Sequence, residues 1–122
     1  MGQGFKKEQR VRREAEFQIL YRKGTLAKGK SMTLRLWTDD GAAEGQKAKL
    51  AITVSRKVSK LAPQRNLWRR RIREIFRTQQ QLIKSRTWIW VRVISDQRAP
   101  SYRVLCEEMC QLLGQLKGIV EA

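Results

Sequence analysis

One stretch, RNLWRRRIREIFR (65–77), constrains this chain more than any other. It crowds six arginines and an asparagine among Leu67, Trp68, Ile72, Ile75 and Phe76. A disordered basic tail needs no tryptophan, and a core helix needs no arginine. A helix at 100° per residue reconciles the two. Trp68, Ile72, Ile75, Phe76 and Ile83 then form one stripe, while Asn66, Arg69, Arg70, Arg73 and Arg77 form a second about a quarter turn away. Arg71 and Glu74 lie off both. Such a helix seats its apolar stripe on a sheet and presents a row of guanidinium groups.

The flanks supply the sheet. RREAEFQILYRKGT reads as a short helix with Phe17, Leu20 and Tyr21 at i, i+3 and i+4 and Gly24 as its stop. KSMTLRLWT alternates, with Met32, Leu34 and Leu36 to one side and Thr33, Arg35 and Trp37 to the other. AKLAITVS alternates again, with Leu50, Ile52 and Val54 inward. The polar, glycine-bearing turn between them predicts an antiparallel hairpin with a long loop. A basic irregular connection, RKVSKLAPQ, leads to the arginine helix. TWIWVRVI is apolar on both faces and β-branched, which predicts a central strand. A last helix from Ser101 places Tyr102, Leu105, Met109, Leu112, Leu113 and Leu116 at helical spacing. The order is α-β-β-α-β-α, with room for one more short strand around Lys28–Lys30. Its simplest packing is a two-layer α/β domain, helices on one face of a small sheet. The chain is read as one domain, 1–122, with flexible ends at 1–12 and 119–122.

The charge narrows function. Twenty-seven Lys and Arg against 11 Asp and Glu leave +16 on 122 residues. That self-repulsion points to a polyanionic partner, first of all nucleic acid. No run approaches the ~18–20 apolar residues of a membrane span. The N-terminus has no apolar run behind its charges and Lys6 where a myristoylation signal has Ser or Thr, so neither targeting motif is expected. Cys106 and Cys110 stand four apart on one helix, badly placed for a disulfide and too few for zinc. Reduced thiols fit a cytoplasmic setting. With no histidine in the chain, Ser-His and Cys-His catalysis is excluded. No paired carboxylates or phosphate loop appear, so no catalytic residue is expected and any chemistry comes from elsewhere.

Arginine forks bind phosphate pairwise, so the helix row suits a nucleic-acid backbone. Asn66 reads equally as a brace for the helix start or as a nucleic-acid contact. A second constellation lies on the sheet face opposite the core: Arg35, Trp37, Thr53 and Ser55, with Phe17 and Tyr21 on the first helix. Aromatic rings beside arginines suit single-stranded RNA. Phe17 reads as well as core packing. Trp88 and Trp90 fit either side of a central strand.

VRREAEFQILYRKGT, LAITVSRKVSK and RNLWRRRIREIFR together resemble the protein subunit of bacterial ribonuclease P over almost the whole chain. Arg65, Asn66, Arg69, Arg70, Arg73, Glu74 and Phe76 match that family's signature, and Leu67 replaces its third residue, normally arginine. The resemblance implies a left-handed βαβ crossover, where the general rule expects a right-handed one. It also implies an accessory subunit that assists a magnesium-dependent catalytic RNA in removing the 5′ leader of precursor tRNA, with no obligate protein partner and no membrane. By position, Arg56, Lys57, Lys60, Arg65, Asn66, Arg69, Arg70 and Arg73 are implied to face the catalytic RNA. Phe17, Tyr21, Arg35, Trp37 and Thr53 are implied to face the single-stranded leader. Arg35 stands where some relatives carry an aromatic, and Arg92 has no assigned register. Magnesium is implied to be held mainly by RNA and substrate, with none held by the protein alone. The competing readings are a basic RNA-binding protein such as a ribosomal protein, and a DNA-binding helix-turn-helix, which needs two adjacent helices.

Overall fold

The computed structural model describes residues 10–11, 13–39, 41 and 47–118. The expected flexible ends fall outside this set except for Arg10 and Val11, as does most of the turn after Thr38. In chain order the elements are α1 (Glu14–Lys23), β1 (Thr25–Lys28), β2 (Met32–Thr38), β3 (Lys49–Thr53), α2 (Ala62–Thr78), β4 (Thr87–Val93) and α3 (Tyr102–Gln115). The short extra strand is β1, slightly ahead of its expected place. The basic helix lies between strands, so the helix-turn-helix reading falls.

The sheet order is β1-β2-β4-β3. β4 pairs antiparallel with β2 and parallel with β3, so the expected β2–β3 hairpin does not form. A strand apolar on both faces is buried best between two others, and β4 takes that position. Met32, Leu34, Leu36, Leu50, Ile89, Val91 and Val93 face one way, into a core closed by Trp68, Ile72, Ile75 and Phe76 of α2 and Leu105, Met109, Leu112 and Leu113 of α3. Ile83 joins this core from beyond the end of α2, not from the helix stripe. The other sheet face carries α1, where Leu20 packs with Val11, Ala51 and Trp88. Thus α2 and α3 share one face, as expected, and α1 crosses the other.

Backbone hydrogen bonds give the hand of the β3–α2–β4 crossover. The Ile94 amide donates to the Ser31 carbonyl at 2.9 Å, and the Asp39 amide to the Arg86 carbonyl at 2.8 Å. By alternation, Trp88, Trp90 and Arg92 turn their backbone groups toward β2. Their side chains lie on the α1 face. Viewed from that face with β4 running upward, an L-residue pointing at the viewer turns its N–H and C=O to the right. So β2 lies right of β4 and β3 lies left. With α2 behind the sheet, the crossover is left-handed, the exception to the general rule.

Local chemistry fits each boundary. Pro63 sits in the first turn of α2, where a missing N–H costs nothing. The N-cap is Leu61, so Asn66 lies inside the helix and does not cap it. Ser101 caps α3, its side chain accepting from Val104 N–H. Arg10 and Val11 extend the β3 edge: Arg10 bridges Leu50, and the Val11 amide donates to the Leu50 carbonyl at 3.0 Å. Gly24 ends α1 where a Cβ would stand 2.3 Å from the Leu20 carbonyl oxygen and 3.2 Å from that of Leu36. Both obstacles are backbone. Gly24→Ala is therefore expected to cost about 1–3 kcal/mol, read as a lower urea midpoint at unchanged slope.

Candidate nucleic-acid interface

The arginines of α2 divide by what their guanidinium groups touch. Arg65 donates to the Ser59 carbonyl at 2.8 Å, and Arg69 to that of Val54 at 3.4 Å. These two acceptors lie in the basic connection between β3 and α2. Ser59 is its hub: its hydroxyl donates to Gln64 Oε1 at 3.0 Å and accepts from Leu61 N–H at 3.1 Å. Arg71 donates to the carbonyls of Ala99, at 2.9 Å, and Pro100, while Trp68 Nε1 donates to Gln97 O at 3.2 Å. Together they staple the β4–α3 loop to α2. Arg77 is paired with Glu74; hydrogen bonding holds the Glu74 carboxyl below its ordinary pKa and the Arg77 guanidinium above its own.

Arg70 and Arg73 are exposed, with no partner among the described residues, as are Asn66, Arg56, Lys57 and Lys60. The predicted basic site thus has two kinds of member. Arg65 and Arg69 shape the connection that carries Arg56, Lys57 and Lys60. Arg70 and Arg73 project from the helix. Leu67 is half-buried against the core, which accounts for a non-arginine there.

The second constellation is a groove beside α1. Phe17 meets Trp90 edge-on, ring centroids 4.9 Å apart. The Trp90 indole N–H donates to Thr53 Oγ1 at 2.9 Å, which locks the ring on the sheet. Tyr21 is 65% exposed, with the Arg35 guanidinium 4.7 Å from its ring centre and donating to its carbonyl at 3.4 Å. Three depressions join here. The largest of the three, about 420 Å³, lies between Glu14, Phe17, Gln18, Tyr21, Arg22 and Trp90. It shares Phe17 with a depression at the β3 edge that includes Arg10, Ala51, Ile52 and Arg73. It shares Tyr21 and Trp90 with one formed by Leu26, Thr33, Arg35 and Arg92. The result is one aromatic-floored groove across the sheet with arginines at both ends.

Phe17, Tyr21, Arg35 and Thr53 therefore come together as expected. Trp37 lies on the same face but lines none of these depressions; it packs edge-on against Trp88 beneath α1, centroids 4.9 Å apart. Arg92, Trp90 and Arg10 were missed as site residues. Strand alternation carries a signal for two of them, since Ile89, Val91 and Val93 inward put Trp90 and Arg92 outward.

This geometry has relatives. The family model described as Ribonuclease P matches residues 5–117. The chain belongs to the ribonuclease P protein family. The ribonuclease P protein component of Pseudanabaena sp. is 32% identical over 110 residues, 90% of this chain and 92% of its own. That of Acidothermus cellulolyticus is 34% identical over 107 residues, covering 88% and 87%. The fold is that of the RNase P protein of Staphylococcus aureus (TM-score 0.78, 22% identity, 92% of this chain and 98% of that one). The Thermotoga maritima protein is similar too (TM-score 0.73, 21% identity, 93% and 98%). Membership places the chain in ribonuclease P and tRNA processing, with an RNA partner in a ribonucleoprotein.

The cysteines stand apart from both surfaces. Cys106 and Cys110 are free thiols with sulfurs 3.9 Å apart on α3. Burial, then the neighbouring Cys106, pushes the Cys110 thiol up to about 11. Only the thiolate is nucleophilic. Iodoacetamide should therefore label Cys110 slowly at neutral pH, with the rate climbing until pH approaches that value. The two classes of arginine should separate as well. Arg65→Ala is expected to lose about 1 kcal/mol of stability with its carbonyl bond, whereas Arg70→Ala should stay within about 0.5 kcal/mol of wild type, both by urea titration.

Proposed function

We propose that this protein is the accessory subunit of ribonuclease P. It binds the catalytic RNA through α2 and the 54–61 connection and receives the single-stranded 5′ leader of precursor tRNA in the groove beside α1. The observation that carries the reading is the join between the two surfaces: Arg73 of the family's signature helix lines one end of the aromatic groove. One rigid body can then hold the catalyst's RNA and the substrate's leader at a fixed relation.

Each part has a physical role. Arg70, Arg56, Lys57 and Lys60 neutralise backbone phosphates of the catalytic RNA, releasing counterions. Arg65 and Arg69 hold the connection in shape, so little ordering cost remains on binding. In the groove, Tyr21 and Phe17 offer faces and edges for base stacking, and Arg35, held on Tyr21, has further N–H groups for a phosphate. Such contacts are tolerant of sequence, which suits a subunit serving many precursors. Magnesium, held by the RNA and substrate, supplies the hydrolytic chemistry when bound. The protein's contribution is added affinity for the leader-bearing substrate and screening of phosphate repulsion.

The test is 5′ cleavage of a precursor tRNA by a bacterial ribonuclease P RNA at low magnesium and moderate salt. Wild type should stimulate cleavage strongly. An Arg56→Ala/Lys57→Ala/Arg70→Ala variant should fold normally, lose most of the stimulation at limiting protein, and bind the catalytic RNA with a salt slope smaller by about 0.7–0.9 per lost contact. Tight RNA binding by wild type without stimulation would leave only a general RNA-binding protein.

A further inference from the structure

The chain has two cysteines, and neither the arginine helix nor the groove uses them. Cys106 and Cys110 lie one turn apart on α3, each half-buried, with their sulfurs 3.9 Å apart. Tyr102 precedes them by another turn on the same stripe. Its hydroxyl bonds to Thr78 Oγ1 and accepts from Gln79 Nε2 at 3.5 Å, so the stripe starts beside the C-terminal end of α2. The two carboxylates near the pair in sequence are engaged elsewhere. Glu107 pairs with Arg103 at 3.4 Å, and Glu108 accepts from the Ser31 amide at 2.8 Å. Met109, the neighbouring thioether, is fully buried in the core.

We propose that Cys106 and Cys110 form a binding site for monovalent copper, held by the two sulfurs with its remaining position left to solvent or a small thiol. On binding, each thiol releases its proton to solvent and each sulfur forms one metal–sulfur bond. No electron is transferred. The site is separate from the RNA-binding reading above and does not depend on it.

Geometry favours an ion between the sulfurs over a bond between them. Side chains four apart on a helix have Cβ atoms about 5–6 Å apart. A disulfide needs about 3.5–4.5 Å, so closing one would distort α3. An ion needs no such movement. At metal–sulfur bonds of about 2.3 Å, sulfurs 3.9 Å apart subtend about 116° at a shared ion, close to a trigonal angle. The ligand count then selects the ion. The chain has no histidine, and among the described residues no group of three His, Cys, Asp or Glu could hold a metal. Structural zinc takes four ligands, and magnesium and calcium take oxygens. Thiolates with few companions suit Cu(I). Completing a four-sulfur zinc site with a second copy would press together two chains of +16 each. The thiols also demand a thiophilic ion. Burial, then Cys106, raises the Cys110 thiol to about 11, so its proton stays at neutral pH until a strongly sulfur-binding ion displaces it. Once bound, the ion ties one turn of α3 to the next, on the helix whose Leu105, Met109, Leu112 and Leu113 close the core.

The experiment uses the reduced full chain without oxygen. Cu(I) is offered from a coloured chelator that competes for it, and loss of colour counts the ions transferred. Wild type is expected to take one ion per chain at unchanged molar mass by light scattering. Its urea midpoint should rise when Cu(I) is present, because the ion binds the folded state. Cys106→Ser and Cys110→Ser should each weaken binding at least about a hundredfold, and their midpoints should no longer respond to Cu(I). Urea titration of the ion-free variants confirms their fold, and Cys106→Ala and Cys110→Ala repeat the test should serine disturb the packing. Zn(II) offered from a chelator in the same way should not transfer. No Cu(I) transfer to wild type would overturn the proposal, and so would equal transfer to the Cys106→Ala/Cys110→Ala double variant. A doubled molar mass on loading would make the ion a bridge between copies and would overturn it too. A trivalent phenylarsenical, which captures neighbouring thiols, gives a separate check on the pair. Its capture without that of Cu(I) would show adjacent thiols and no copper site.

Discussion

The two-sided burial of β4 is the constraint on which the rest depends. Ile89, Val91 and Val93 complete the core under α2 and α3, while Trp88 and Trp90 carry α1 on the opposite face. Trp90 is braced by Thr53 below and met edge-on by Phe17 above. Rings at that angle keep α1 raised off the sheet, so one flank of the helix stays open as a groove and the other closes as a small second core. Glu16 and Lys49 pair at 3.0 Å, with Lys49 5.0 Å from the Trp88 ring centre, and this pins the first half of α1. Arg35 under Tyr21 pins the second half. The groove is thus a by-product of how one strand's tryptophans are packed.

Much of this was legible in the chain. The inward sides of β2 and β3 and, apart from Ile83, the apolar stripe of α2 followed from periodicity alone, because burial selects the same side chains that the periods align. Sheet order did not follow. Strands adjacent in sequence usually pair, and that preference favoured a β2–β3 hairpin. The apolar faces of β4 already argued for a central position, and in a small sheet the two expectations compete. Burial of Trp88, Ile89 and Val91 outweighs the preference for pairing strands that are adjacent in sequence. The hand of the crossover was legible only through the family resemblance, since local sequence carries no signal for it.

The arginines show a different limit. A helical projection places side chains by angle and is blind to the carbonyls nearby. It grouped Arg69 with Arg70 and Arg73, yet Arg69 turns to Val54, and Arg71, set aside as off both stripes, holds the loop before α3. Arginine's long stem and several N–H donors let one residue type serve as both structural tie and exposed surface charge. Which role each takes depends on loops that lie far along the chain from the helix. Alternation puts Arg92 on the outer face, but its neighbours there, Thr33 and Thr53, follow only from the strand pairing.

Crowding cations on one helix has a cost that the apolar stripe absorbs. Like charges at i, i+3 and i, i+4, such as Arg69 with Arg73 and Arg70 with Arg73, disfavour the helix by roughly 0.2–0.5 kcal/mol each. Burying each of Trp68, Ile72, Ile75 and Phe76 favours it by about 1.5–3 kcal/mol. Burial wins by a wide margin, so the helix does not need RNA to form. Its exposed arginines are therefore held at fixed spacing before any polyanion arrives. In the proposed RNA-binding role, little free energy would be spent on ordering the backbone. Trp68 and Ile72 set this array from inside the core, because they keep Arg70 facing outward and Arg73 at the groove.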